Sequence, residues 1–274
     1  MLGGQTGDTM TAALAHITIE AGVATIALDN PKANCYSYAM MQQLDACVLD
    51  ARMREDVHVI VLTGAGEKFF CAGADIGMLG GLSPTEKYFF CLHANETLLR
   101  LEQTPKLVIA ALNGHCVGGG LEVALACDIR LGRDGAFQVG LPEVKLGVLP
   151  GTGGTQRLVR LLGRARALEL MVTGQTFPMK AARGEGLLHR VLEADSAASF
   201  QAQVREYASQ FVPPLGASKA VGMIKRAVHA GADLGLAEAL GLERELQQQL
   251  FLSADAKEGI LANREKREPR FLGH

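Results

Sequence analysis

No tryptophan occurs among the 274 residues, and aromatic residues of all kinds make up only 5%. A hydrophobic core must therefore be built from Ala, Val, Leu and Ile rather than from rings. Neither sign of charge is in excess, since 27 basic residues face 29 acidic ones for a net charge of −2. So weak a field gives no electrostatic reason to expect nucleic acid or an anionic membrane as partner. No run of about 18 apolar residues exists, which excludes a membrane-spanning helix. The first dozen residues, MLGGQTGDTMTA, lack a basic start and an apolar stretch, so they are not a secretory signal. Residues 1–13 are expected to form a disordered leader, with Met10 as an alternative start. The six cysteines (Cys35, Cys47, Cys71, Cys91, Cys116 and Cys127) show neither CxxC nor Cys/His metal spacing. They are read as reduced, mostly buried thiols of a cytoplasmic protein, with no metal site expected.

What is present is an ordinary globular composition, 48% hydrophobic and 20% charged, in a chain long enough for a substantial core. His16–Glu20 and Val23–Leu28 alternate apolar and polar residues around Ala21-Gly22 and read as a β-hairpin. A helix is expected over 37–53, with Met41, Leu44 and Val48 on one face. The strand Val57–Leu62 follows, and then a helix over 84–101 capped by Ser83. The pattern recurs as the apolar strand Leu107–Leu112, the glycine-rich turn Asn113–Gly120 and a helix from Gly119 to Ala126. Short strands are expected at Asp128–Leu131 and Ala136–Gly140. This recurrence predicts stacked β/α units rather than a bundle. Beyond residue 195 only helical patterns remain, and Phe211–Gly216 is the expected joint to that tail.

Two turns carry the chemistry. Phe69-Phe-Cys-Ala-Gly-Ala-Asp-Ile76 and Ala110–Glu122, which contains Gly118-Gly-Gly120, each supply small residues that let backbone N–H groups approach a ligand. One donor from each can hold a carbonyl oxygen as negative charge develops on it. Glu122 lies three residues after Gly119, one helical turn on. It can act on a substrate held there, or simply complement the helix dipole as a first-turn acid. Glu143, in a turn fixed by Pro142, reads by itself as a surface acid. The segment Leu146–Arg157 looks like a phosphate cradle but matches neither GxGxxG nor a P-loop, so a tight helix entry is the better reading.

Taken together, Phe70–Ile76, Ala111–Asp128 and Leu141–Arg157 resemble the enoyl-CoA hydratase/isomerase (crotonase) family in order and spacing. The likeness continues to Glu258-Gly-Ile260 and Arg264–Arg267, and covers the chain from residue 14. It implies an α/β fold, a crotonase-like spiral of ββα units over 14–195. A C-terminal helical region, 196–274, would form a homotrimer or a dimer of trimers. Members bind acyl-CoA thioesters and stabilise the enolate with two backbone N–H groups, which match Ala74 and Gly119 here. In the hydratases two glutamates hold the attacking water, and the matching residues are Glu122 and Glu143. Gly151 matches a position whose N–H helps place that water. Lys32, Ala33 and Asn34, with Ala72, Asp75 and Ile76, match the region that cradles the adenine and pantetheine. Lys266 matches a lysine that approaches the nucleotide phosphates, though among Arg264, Arg267 and Arg270 it also reads as a solvated face.

The activity implied is water addition to an enoyl-CoA in fatty acid metabolism, with acyl-CoA as substrate and no separate cofactor. An isomerase, or another family lyase or decarboxylase, is the alternative. A non-catalytic RNA-binding member is disfavoured by the balanced charge and the intact acid pair. Departures bear on the acyl group: Asn34-Cys-Tyr-Ser37 stands where many members carry an Asn-Ala-Leu-type stretch, and Asn263 where an aromatic is common. Met78, Leu79, Phe89 and Phe90 are expected to shape the acyl site, and His115 and Cys116 to pack.

Overall fold

The computed structural model describes residues 13–274, so the expected leader, Ala13 excepted, and Met10 lie outside the described residues. Ala15–Glu20 (β1) and Val23–Leu28 (β2) pair antiparallel around Ala21-Gly22, both at positive φ. Tyr38–Met53 (α1) starts at Ser37, whose side chain accepts the Met40 N–H, and it buries Met41, Leu44 and Val48. Val59–Gly64 (β3) and Phe69–Cys71 (β4) precede the short Ile76–Gly81 helix (α2). Pro84–Glu102 (α3) carries a full capping box between Ser83 and Glu86, as its sequence predicts.

The next unit is Leu107–Leu112 (β5), His115–Val117 (β6) and Gly119–Leu125 (α4). Ile129–Arg133 (β7) and Gln138–Gly140 (β8) lead to a 3-10 turn at Glu143–Leu146 and the helices Gly154–Leu162 (α5) and Arg164–Thr173 (α6). Thr176–Pro178 (β9), Met179–Gly184 (α7) and Arg190–Leu192 (β10) close the sheets. The helices Ala197–Ser209 (α8), Ser218–Gly231 (α9), Leu236–Phe251 (α10) and Ala254–Glu265 (α11) follow.

Strands β1-β2-β3-β5-β7-β10 form one sheet and β4-β6-β8-β9 a second. Each long strand β3, β5 and β7 is followed by a short one in the other sheet and then by helix, which is the ββα spiral. The two short strands β4 and β6 hide inside segments that read as glycine turns. Their pairing, Phe69 with His115 and Cys116 with Val139, lies between residues far apart in sequence. β3 begins two residues later than expected because its ladder with β2 starts at Val23–Val59, while His58 N bonds Gly22 O.

The apolar runs of β3 and β5 are continuous because both faces of the sheet are covered. Ile60, Leu62, Val108 and Ala110 face the main core, whereas Val59, Val61, Leu107 and Ile109 face Phe200, Val204 and Ala208 of α8. Burying each such branched side chain contributes about 1.5–3 kcal/mol. Helix α8, which falls in the segment read as a helical tail, is therefore the second layer over the sheet. Helix α9 docks through buried Lys225, whose Nζ lies 2.9 Å from Asp128 Oδ2, and through His229 Nε2, 3.0 Å from Asp128 Oδ1. Helix α10 buries only Leu246. The chain then returns, with Asp255 accepting the amides of Leu272 and Gly273 at 2.6 and 2.9 Å.

Candidate active site

The turn after β4 and the start of α4 meet. A Cβ placed on Gly73 would lie 2.9 Å from Gly119 N, so the two backbones are in contact. Tyr36 forms a parallel bridge to Ala74, donating its N–H to Gly73 O and accepting from Asp75 N, at 2.9 and 3.0 Å. In that pattern the N–H of Ala74 itself is outside the bridge. Gly119 is the first residue of α4, so its N–H has no partner inside the helix. Neither amide has a hydrogen-bond partner among the described residues, the backbones that carry them touch, and Gly119 lies at the positive end of a helix dipole. Glycine is required at 119, because a Cβ there would lie 2.0 Å from the Tyr36 hydroxyl oxygen.

Glu122, one turn into α4, is only 2% exposed. Its Oε1 accepts from Thr152 N at 2.8 Å and Gly154 N at 2.7 Å, and its Oε2 accepts from the Thr152 hydroxyl. The cradle-like segment 146–157 does hold an anion at the start of α5, but the anion is the chain's own Glu122. Burial raises the Glu122 pKa, opposed by the bonds from Thr152 and Gly154 and by the charge of Arg157. Arg157 donates to Glu102 Oε2 at 2.8 Å and to Thr152 O at 3.4 Å, bracing that turn. The Thr152 hydroxyl also lies 3.0 Å from the Tyr36 hydroxyl.

Glu143 opens the 3-10 turn after β8. Both its carboxylate oxygens are buried and neither has a hydrogen-bond partner among the described residues. Oε1 packs on Gly118, where a Cβ would come within 3.3 Å. Burial pushes its pKa up to about 7, opposed by its own backbone N–H and helped by the neighbouring charge of Glu122. The fold therefore brings Ala74, Gly119, Glu122 and Glu143 together. Gly151 joins them, directly before Thr152, with its carbonyl accepting from Asn95 Nδ2 at 3.4 Å.

The residues matched to nucleotide binding divide. Ala72 N bonds Ala33 O at 3.0 Å, so the 32–34 loop lies along the 72–76 segment. Asn34 is buried in the left-handed region and its amide ties Ala65 O and Phe69 O, a structural clamp. Asp75 caps α2 by accepting Met78 N, and Ile76 is exposed. Lys32 stands exposed over a cleft of roughly 300 Å³ bordered by Pro31, Gly66 and Lys68. Lys266 is not part of this cluster; it is exposed in the left-handed cap of α11, its own N–H bonding Asn263 O. Phe90 is buried with its ring 6.0 Å from that of Tyr36, whereas Phe89 is exposed. His115 lies between the rings of Phe69 and Phe137 and Cys116 is fully buried, so both pack. Four of the six thiols are buried; Cys35 and Cys91 are half-buried.

Two contributors were not singled out from the sequence. Thr152 carried a signal, as the one hydroxyl between Gly151 and Gly153 in a turn feeding a helix. Tyr36 carried only its departure from the Asn-Ala-Leu-type pattern.

A family model described as enoyl-CoA hydratase/isomerase matches residues 18–274. The chain belongs to the enoyl-CoA hydratase/isomerase family. Among this family's proteins, the short-chain-enoyl-CoA hydratase of Clostridium acetobutylicum is 36% identical over 250 residues, which span 91% of this chain and 94% of that one. The enoyl-CoA isomerase/hydratase fer4 of Mycosarcoma maydis is 34% identical over 260 residues, 92% of this chain and 93% of that one. A solved structure from Geobacillus kaustophilus, described as "Enoyl-CoA hydrates", superposes with a TM-score of 0.91 at 43% identity, covering 96% of this chain and 98% of that one. The family fold is thus the one observed here.

Proposed function

We propose that the protein is an enoyl-CoA hydratase that adds water across the 2,3-double bond of an acyl-CoA thioester. The observation that carries this reading is the unequal acid pair beside two free amides. The thioester oxygen sits between the N–H groups of Ala74 and Gly119, which draw electron density from C3. Glu122, bonded by three donors, stays ionised and accepts a proton from the water as its oxygen bonds to C3. Glu143, whose charge is favoured only by its own backbone N–H, carries a proton to C2. Oε1 of Glu122 has both lone pairs engaged, whereas Oε2 keeps one for the water. The Gly151 N–H helps to place that water. Unequal hydrogen bonding of two nearby carboxylates is a usual basis for such a division of labour.

The CoA portion runs along Lys32, Ala33 and Asn34 and the segment Ala72, Asp75 and Ile76. Lys266 of a neighbouring subunit reaches its phosphates. No cofactor beyond this substrate takes part. A homotrimer, alone or paired, fits the apolar side chains that the C-terminal helices leave uncovered, notably Leu236 at 77%, Leu252 at 75% and Ile260 at 61% exposure. A stable monomer in sedimentation would overturn that assembly. A cytoplasmic setting, read from the scattered thiols, belongs to the same proposal.

The direct test is a panel of enoyl-CoAs incubated in oxygen-18 water and read by product mass. Incorporation of one heavy oxygen into a 3-hydroxyacyl-CoA supports hydration. A shifted double bond with no oxygen gained would instead establish an isomerase, the alternative that a shared proton-moving pair permits.

A further inference from the structure

The Tyr36 side chain is 2% exposed, and its hydroxyl meets Thr152 Oγ1 at 3.0 Å in a wholly buried contact. Thr152 Oγ1 owns one proton and lies against Glu122 Oε2. An ionised carboxylate only accepts, so that proton is committed to Glu122 and the Tyr36 hydroxyl must be the donor to Thr152. With Glu122 ionised the relay runs from Tyr36 to Thr152 to Glu122. The same residue reaches the other half of the site, since its backbone N–H and C=O bracket Ala74 and its ring packs against Gly119. One residue thus packs on Gly119, brackets Ala74 with its backbone and reaches the acid through Thr152.

We propose that Tyr36 is a positioning residue for Glu122, its hydroxyl orienting Thr152 so that the carboxylate stays ionised and aimed beside the Ala74–Gly119 amides. The relay's direction and its catalytic consequence rest on the ionised Glu122 of the hydratase reading above; the contacts themselves do not. Burial, reinforced by the charge of Glu122, holds the phenol well above its ordinary pKa, so it remains a donor throughout the working pH range. A buried chain of hydrogen bonds polarises along its length, which strengthens the terminal bond to the carboxylate. An aliphatic residue, as in the Asn-Ala-Leu-type stretch, has no proton to start such a chain.

Tyr36→Phe keeps the ring against Phe90 and Gly119 and removes only the hydroxyl. The expected loss in kcat is roughly three- to tenfold with KM changed by less than about twofold, the size of one neutral hydrogen bond. The Glu122 carboxyl, followed by carbon-13 NMR in a Glu143→Gln background, should titrate higher by roughly half a pH unit or more. Thr152→Val should reproduce both effects, Thr152→Ser should reverse most of them, and adding Tyr36→Phe to Thr152→Val should cost nothing further. Losses that multiply in the double variant, or a Glu122 titration unmoved by Tyr36→Phe, would overturn the relay. If Tyr36→Phe does not fold, a Glu122 titration that moves in Thr152→Val and returns in Thr152→Ser supports it, and one that moves in neither refutes it. Should the parent fail to hydrate any enoyl-CoA, the function falls while the NMR arm still decides the relay.

Discussion

Glu122 and Glu143 are side by side, yet their surroundings are opposites. Glu122 is bonded on both oxygens by the turn before α5, whereas Glu143 is pressed against Gly118 with no donor from another residue among those described. Burial raises both pKa values; at Glu122 three donors and the Arg157 charge act against it, at Glu143 only its own backbone N–H. The difference teaches that an acid and a base need not be different residue types. In the proposed reaction a helix N-terminus with a hydroxyl favours the charge of one carboxyl, and burial with few donors favours a proton on its neighbour.

The sharpest way to break the comparison is to neutralise each partner. Glu122→Gln keeps its shape: the amide oxygen can take the two amide bonds at the Oε1 position while its NH₂ meets the Thr152 hydroxyl. Its kcat should nevertheless fall roughly 10²–10⁴-fold, as for loss of a general base. Glu143→Gln should cost a similar or slightly smaller factor. Loss of a hundredfold or more in both, with acyl-CoA affinity preserved in calorimetry, fits the assignment; a parent rate in the double Gln variant would sink it.

The next effect is on pH. The competent pair holds one proton in total, so kcat/KM should fall about tenfold per unit above the Glu143 pKa, which lies at about 7. The fall must appear in both directions of the reaction, because hydration releases no net proton and the equilibrium constant is pH-independent. Removing the Glu122 charge with Glu122→Gln should move the limb of the residual activity to lower pH, since that charge helps raise Glu143. A basic limb unmoved by that substitution would mean that the two carboxyls do not sense each other.

Much of the scaffold was legible in the sequence. Ser83 and Glu86 announce the start of α3, and the helical spacing of Met41, Leu44 and Val48 announces the buried face of α1. Glu122 was legible as a group one turn past Gly119, because helix periodicity is local. Its environment was not, since the donors come from residues 30 and 32 positions later. Strands β4 and β6 were missed for the same reason: three residues carry too little period to distinguish a strand from a turn, and their partners are remote. Glu143 stood only on the family likeness, because nothing in Leu-Pro-Glu-Val tells that the chain folds it against Gly118. Helix α8 likewise looked like any amphipathic helix, and only the two-faced apolar runs of β3 and β5 hinted that a second layer was needed.

The smallest effect separates holding a charge from merely burying it. With its pKa raised from 4.5 to about 7, folded Glu143 binds more protons than the unfolded chain between those values. Stability must therefore fall as pH rises through that window and stay lowered above it. Gln at this position does not titrate and loses no hydrogen bond to another described residue, since Glu143 makes none. Glu143→Gln should thus unfold at higher denaturant than the parent at pH 8, by ~1–2 kcal/mol once partial solvent screening is allowed for. Below about pH 4.5, the ordinary carboxyl range, the protonated parent should be its equal. Equal stability of the two proteins at pH 8 would place Glu143 in a solvated, compensated site and remove the reason for its holding a proton near neutrality, leaving the acid for C2 to be sought elsewhere.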